Sequence, residues 1–104
     1  MSQDLARAVS TVVRDCMGVR PGEEVLTVCN PATLELGEAL RAEAEAAGAQ
    51  SVLAVMAERE SHAGEPPAAV AAAMAAADVL LAPTVQSLSH TAARKRASES
   101  GTRA

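Results

Sequence analysis

The chain has 104 residues, 13 acidic and nine basic side chains, and a formal net charge of -4. Its length suits one small domain. Its acidic balance, with a single short basic cluster at Arg94-Lys95-Arg96, argues against a general nucleic-acid-binding surface. The chain has no Trp, Tyr or Phe, which excludes base stacking on aromatic rings. Hydrophobic residues make up 49%, but many are alanine, so the core must depend on Val, Leu and Met.

The sequence carries no recognisable targeting or membrane segment. No apolar run approaches the ~18 residues of a transmembrane helix. Asp4 and Arg7 lie within a helical pattern at the start, where a signal peptide would be apolar. Cys16 is expected on the apolar stripe of a helix and Cys29 at the end of a strand, both as buried thiols in a reducing compartment. These features predict a soluble, cytoplasmic protein.

The first half of the chain predicts a helix, a strand and a second helix. Apolar residues from Leu5 to Cys16 recur at the i, i+3, i+4 spacing of an amphipathic helix that ends at Gly18. Arg20-Pro21-Gly22-Glu23 is typical of a tight turn. The apolar run Val25–Cys29 predicts a strand buried on both faces. Asn30-Pro31 is a suitable start for the second helix, which should end at Gly48.

The second half repeats this alternation. Residues 51–57 (SVLAVMA) predict a second buried strand, Pro66-Pro67 opens a third helix, and a third strand begins at Asp78. A fourth helix should begin at about Thr91. Alternating helices and strands favour an α/β fold: a three-layer, Rossmann-like open parallel sheet with three strands and four helices.

The end of the chain suggests a truncated sheet. Thr102-Arg103-Ala104 is typical of a loop that enters a fourth strand, and three strands fall short of the usual four to six. We therefore expect residues 1–104 to be one α/β domain at the N-terminus of a longer two-domain protein. A structural half-domain that needs a partner strand is an alternative, because a bare sheet edge invites pairing.

The candidate binding residues lie in loops that follow the strands. Ligands of open α/β sheets bind outside the carboxyl ends of the strands. Hydroxyl groups and an imidazole precede the fourth helix, whose N-terminus favours an anion. We expect Ser87 or Ser89 to cap that helix. The predicted small-anion or substrate site comprises Asn30, Thr84, Ser87, Ser89, His90 and Arg94.

Patterns for other chemistry are weak. His62 and His90, with Glu58 or Glu60, have adequate donors for zinc but lie on separate loops without a metal-binding spacing. Ser87, Ser89 and His90 lack both a GxSxG motif and an orienting acid. No Gly-rich dinucleotide or Walker motif is present. We therefore assign no catalytic residue, no metal ligand and no cofactor to this chain.

Three segments nevertheless resemble a known family. Gly18-Val19-Arg20-Pro21-Gly22-Glu23 with the strand after it, Ala47-Gly48-Ala49, and Ser89-His90-Thr91 with Ala93-Arg94 are similar to the N-terminal part of the thermophilic, aminopeptidase T-like leucyl aminopeptidases. The similarity extends over essentially the whole chain, although none of the three segments is a catalytic signature.

The resemblance implies a cytoplasmic, homodimeric exopeptidase of two domains that uses two divalent ions of zinc, cobalt or manganese. Its metal ligands lie in the C-terminal domain, so this chain alone is expected to be inactive. The same fold resembles that of ring-cleaving dioxygenases acting on dihydroxypyridines, whose iron ligands are also C-terminal. A stand-alone small-anion-binding module remains the alternative from another class, and neither a nucleic acid nor a membrane is an expected partner.

Overall fold

The fold is built around β1 (Glu24–Cys29), the central strand of a parallel sheet. The structure is a computed structural model that describes residues 2–58, 64–84, 88 and 91–104. Within these residues β1 lies between β2 (Gln50–Val55) and β3 (Val79–Leu81), in the order β2-β1-β3. Val25 of β1 is opposite Ser51 of β2 and Val79 of β3. Consecutive strands are joined by helices because parallel strands need long crossover connections.

Helices cover both faces of this sheet. One apolar cluster joins Val25 and Val79 to α1 (Gln3–Ser10) and α2 (Leu34–Ala46). The other joins Leu26, Val28 and Leu80 to α3 (Ala68–Ala76) and α4 (Ala92–Glu99). The predicted three-layer α/β fold with three parallel strands and four helices is confirmed. No helix among the described residues is long and apolar enough to cross a bilayer.

The first helix changes its winding half-way. After Ser10 the α-helix continues as a π-helical segment, Thr11–Cys16, in which the Met17 N–H donates to the Val12 carbonyl at 2.9 Å. The wider winding rotates later side chains away from the positions that a 3.6-residue period predicts. The prediction that Cys16 is buried is therefore wrong: Cys16 is exposed, whereas Cys29 is fully buried.

The second strand is also less buried than its apolar sequence predicts. Val52 is 57% exposed and Val55 is 49% exposed, so the prediction of a strand buried on both faces is wrong for β2. The reason is topological, because the order β2-β1-β3 puts β2 at an edge and β1 in the centre. All three residues of the short β3 are buried.

The turn before β1 packs against the turn before β2. Gly22 has a φ of +85°, as the predicted turn requires, and its N–H donates to the Gly48 carbonyl at 3.0 Å. Gly48 has a φ of +93°, and a Cβ atom there would lie 3.0 Å from the Cβ atom of Pro21. The two glycine turns thus form one close contact at the amino ends of the strands.

Arg103 closes the side of the sheet opposite β2. It forms a parallel bridge with Val79: the Arg103 N–H donates to the Asp78 carbonyl at 3.0 Å, and the Leu80 N–H donates to the Arg103 carbonyl at 2.8 Å. Its guanidinium forms two 2.7 Å hydrogen bonds with the Glu23 carboxylate and donates further to the carbonyls of Met17 and Gly18. The backbone of Arg103 thus lies beside β3, and its side chain joins the turns that precede β1.

Candidate functional site

Asn30 lies where β1 ends and is almost fully buried, at 1% exposure. Its Nδ2 donates to the carbonyl of Met56 at 2.9 Å and more weakly to that of Ala57 at 3.4 Å, and both residues directly follow β2. Its backbone N–H donates to Thr33 Oγ1 at 3.0 Å within a capping box. The amide of Asn30 therefore ties the carboxyl ends of two neighbouring strands together.

Half of the predicted small-anion or substrate site lies outside the described residues. Ser87, Ser89 and His90 are in this group, as are Glu60 and His62 from the preceding loop. Thr84 follows β3, is half-buried and donates its backbone N–H to the Ala82 carbonyl at 2.8 Å. The structure therefore gives positions for Asn30, Thr84 and Arg94. That these three residues form one site with Ser87, Ser89 and His90 stays a prediction.

The N-terminus of α4 is capped by a different residue from those predicted. Thr91 Oγ1 accepts from the Arg94 N–H at 3.1 Å, so the expected cap at Ser87 or Ser89 is wrong. Threonine makes the same hydrogen bond as serine, and Thr91 has the extended backbone that a cap requires. The helix thus begins at Ala92, one residue after the predicted start at about Thr91.

A carboxylate already occupies the remaining N–H groups of α4. Glu65 accepts from the Ala92 N–H at 2.8 Å and from the Ala93 N–H at 3.0 Å, one through each oxygen. This arrangement satisfies two unpaired donors and places a negative charge at the positive end of the helix dipole. An external anion at this position would have to displace Glu65.

Arg94 does not extend toward that N-terminus. Its Nη1 contacts the Oγ of Ser98, one turn further along α4, and its backbone N–H is used by Thr91. The guanidinium therefore follows the outer surface of the helix toward its C-terminal end. The three predicted site residues that the structure describes, Asn30, Thr84 and Arg94, thus lie on the carboxyl side of the sheet, but their side chains do not converge on one point.

The strongest ion pair lies at the opposite, amino edge. The Arg103 guanidinium lowers the pKa of Glu23 to about 2 through its paired hydrogen bonds, against the opposing effect of burial. The same contact raises the pKa of Arg103. Arg20 contributes its backbone N–H to Glu23 Oε1 at 2.8 Å. These charges are paired with each other, so they stabilise the fold instead of forming an open site.

The thiol at the end of β1 is also unsuited to nucleophilic chemistry. Burial raises the pKa of Cys29, with a smaller contribution from Glu38. A raised pKa keeps the sulfur protonated, whereas a reactive cysteine needs the thiolate. No group of three His, Cys, Asp or Glu side chains among the described residues is placed to hold a metal ion.

Sequence reasoning missed Glu65 as a functional neighbour of α4. Glu65 is 27 residues before Ala92, and no local motif links the two positions. Its only sequence signal is its place directly before Pro66-Pro67, which starts α3. Because α3 packs beside α4, the residue preceding one helix reaches the start of the other.

Comparison with known proteins identifies no family for this chain. No family model matches the chain, and neither a curated protein nor a solved structure matches it.

Proposed function

We propose that this chain is a non-catalytic, Rossmann-like N-terminal portion of a cytoplasmic, metal-dependent aminopeptidase, an enzyme that removes N-terminal amino acids from peptides. The observation that carries the proposal is the use of Asn30. In an open α/β sheet this position faces the usual ligand crevice, yet its amide ties the end of β1 to the end of β2. An amide that is bonded in this way holds the two strands together, which supports a structural role for this chain.

The contact between the two glycine turns also supports a scaffold role. Gly18–Glu23 and Ala47–Ala49 carry much of the resemblance to aminopeptidases, and they meet through the hydrogen bond from Gly22 to Gly48. All three of their glycines, Gly18, Gly22 and Gly48, have positive φ angles that other residues rarely adopt. The shared residues are therefore ones that shape the backbone, as a common fold requires.

In the proposed parent enzyme, two divalent ions of zinc, cobalt or manganese would activate a water and polarise the scissile carbonyl. Their ligands belong to the C-terminal domain of the family that the chain resembles. This chain would form part of the wall of the substrate cleft and support the catalytic domain. The parent would act as a homodimer.

An activity assay tests the non-catalytic part of the proposal. We expect the purified chain to release no product from leucyl p-nitroanilide with added zinc, cobalt or manganese. An established metalloaminopeptidase assayed in the same buffers is the positive control. Product formation that increases with the concentration of the chain and stops on chelation would contradict the proposal.

The reading frame of the gene tests the link to an aminopeptidase. We expect the codons after Ala104 to continue into a strand-like apolar segment and then a region rich in Glu, His, Tyr and Asp. A stop codon directly after Ala104 would refute the proposed parent, because no metal centre could then be completed.

A second candidate function, a small-anion-binding module, is favoured by one observation. The α4 N-terminus holds the Glu65 carboxylate through two backbone N–H groups, so its geometry suits an oxyanion. If an external anion replaces Glu65, Glu65→Gln should tighten phosphate binding, because a neutral amide competes less well than a carboxylate for the two N–H groups. Unchanged amide chemical shifts of Thr84 and residues 91–94 at millimolar phosphate would eliminate this candidate.

A further inference from the structure

The open edge of β2 lacks the features that usually prevent edge pairing. Natural sheets protect such edges with Lys, Pro, a bulge or a covering segment. The sequence of β2, QSVLAV, has neither a charge nor a proline, and its six residues pair with β1 in continuous register without a bulge. Within the described part of the chain, β2 has a hydrogen-bonded strand on one side alone.

The direction of the backbone groups on β2 follows from its two ends. The Gln50 N–H donates to the Glu23 carbonyl at 2.7 Å, and the Met56 N–H donates to the Cys29 carbonyl at 2.9 Å. Even-numbered residues of β2 thus direct their N–H groups toward β1. Because backbone groups alternate along a strand, Ser51, Leu53 and Val55 direct theirs toward the open edge.

We propose that this edge pairs with β2 of a second copy of the chain, antiparallel, about a two-fold axis at Leu53. This register places Leu53 opposite Leu53 of the second copy and Ser51 opposite its Val55. All three outward residues then form hydrogen-bonded pairs, giving about six backbone bonds, because each such pair exchanges two. Two sheets of three strands become one sheet of six, within the usual size range.

Helix α2 favours the same partner. It packs across β1 and β2, and with strands ~4.8 Å apart the two α2 axes of the dimer would lie about 10 Å apart, the normal distance for packed helices. Glu35, Glu38, Arg41 and Leu53 line one depression at this edge. Because the two-fold axis makes the two α2 helices antiparallel and passes close to Glu38, Glu35 of each copy would face Arg41 of the other.

One charge at this interface is unfavourable. Gly37 lies against Leu53, so the neighbouring Glu38 lies nearest the axis and would approach Glu38 of the second copy. Arg41 lies on the adjacent turn, where it already pairs with Glu45 of its own helix at 2.9 Å. On the other sheet face, Val52 lies opposite Ala54 of the second copy. Val52 also lines a shallow apolar groove of about 160 Å³ with Ala73, Ala76 and Ala77, and pairing would bury this part of the surface.

Sedimentation and amide exchange test the interface together. We expect the 10.6 kDa chain to shift from monomer to dimer between about 1 µM and 1 mM. With rising concentration, the amides of Ser51, Leu53 and Val55 should gain protection from hydrogen exchange. The even-numbered amides of β2 should be protected already in the monomer.

Matched variants distinguish dimerisation through the β2 edge from association through another exposed apolar surface. Val52→Lys should weaken dimerisation at least tenfold, because it places a charge on the edge strand. Val12→Lys is the matched control: Val12 is also exposed, at 37%, but lies on the first helix, so its change should have no effect. Arg41→Glu should weaken the dimer, and Arg41→Glu combined with Glu35→Arg should restore it.

Two results would overturn the proposal. One is a monomer throughout the concentration range. The other is a dimer that leaves the amides of Ser51, Leu53 and Val55 unprotected or responds equally to Val52→Lys and Val12→Lys. Circular dichroism of each variant shows that it is folded, so a loss of association cannot be confused with unfolding.

Discussion

The ion pair between Glu23 and Arg103 should make the stability of the domain depend on pH in the acid range. The guanidinium meets the carboxylate through two 2.7 Å hydrogen bonds, and the Arg20 N–H donates to the same carboxylate. Glu23→Gln keeps the size of the side chain and removes its charge. We expect this variant to be less stable than the parent chain at pH 7.

The size of the effect follows from the pKa of Glu23. A decrease from an ordinary 4.5 to about 2 corresponds to ~3 kcal/mol at ~1.36 kcal/mol per pKa unit. The side chain of Glu23 is 17% exposed but that of Arg103 is 38% exposed, so solvent screening reduces this value. We expect Glu23→Gln to lower the free energy of unfolding by about 1–2 kcal/mol at pH 7.

The sign of the pH dependence is set by the lowered pKa. The ionised carboxylate is favoured in the folded state, so its stabilisation is complete above pH 4.5 and is lost as pH falls toward 2. The difference between the parent chain and Glu23→Gln should therefore be constant from pH 7 to 5 and shrink between about pH 4.5 and 2.

Urea unfolding followed by circular dichroism at pH 7, 5, 3 and 2 measures this difference. Fluorescence is unsuitable because the chain has no aromatic residue, and urea avoids the charge screening that guanidinium would add. Glu45→Gln is the matched control, since Glu45 is 66% exposed in its pair with Arg41 and should change stability by less than ~0.5 kcal/mol. Equal effects of the two substitutions, or a Glu23→Gln difference that persists at pH 2, would refute the reasoning.

Three substitutions and one labelling experiment test the packing of the core. Gly37→Ala should destabilise the fold by about 1–3 kcal/mol in urea unfolding, because its Cβ would lie 2.7 Å from the Sγ of Cys29, and the effect should be smaller in a Cys29→Ala background. Thr27→Val should raise the free energy of unfolding by about 1 kcal/mol, because the buried Thr27 hydroxyl has no hydrogen-bond partner among the described residues. Thr102→Val should lower it by about 1–2 kcal/mol, because the Thr102 hydroxyl, which is also buried, lies 2.8 Å from the carbonyl oxygens of Met74 in α3 and of Ala77 directly after it and can donate to either. A change of the same sign for the two threonines would contradict this account. A maleimide should label Cys16 in the folded chain and leave Cys29 unlabelled until urea is added, with mass spectrometry as the measurement.

Local sequence patterns were sufficient to predict most of the fold. Apolar runs identified the three strands, and the glycines at 18, 22 and 48 identified helix ends and a turn, where all three have positive φ angles. Asn30-Pro31 marked the end of β1 and a helical start because proline suits a first helical position. These structural features are determined by residues that are close together in the chain, so they can be predicted from a single sequence.

The features that the sequence did not predict depend on contacts between distant segments. The exposure of β2 follows from the strand order, which a strand's own apolar residues do not encode. The π-helical winding that exposes Cys16 breaks the regular period from which its burial was inferred. Glu65 contacts the start of α4 from the loop that precedes α3, so no local sequence motif predicted this contact. The topology predicted which residues lie on the carboxyl side of the sheet, but it could not predict where their side chains point. The Arg94 side chain, for example, extends toward Ser98 and away from the start of α4.

The contacts of Arg103 also affect how fast the folded state is lost. Its side-chain contacts with Met17 and Glu23 join residues separated by 86 and 80 positions in the chain, and we expect such distant pairs to form late because a long loop must close first. An interaction absent from the folding transition state slows unfolding without accelerating folding. Its ~1–2 kcal/mol would then make unfolding about 5–30 times slower. By this reasoning the Arg103 side chain should lengthen the lifetime of each folded molecule, and with it the resistance to proteases that act on the unfolded chain.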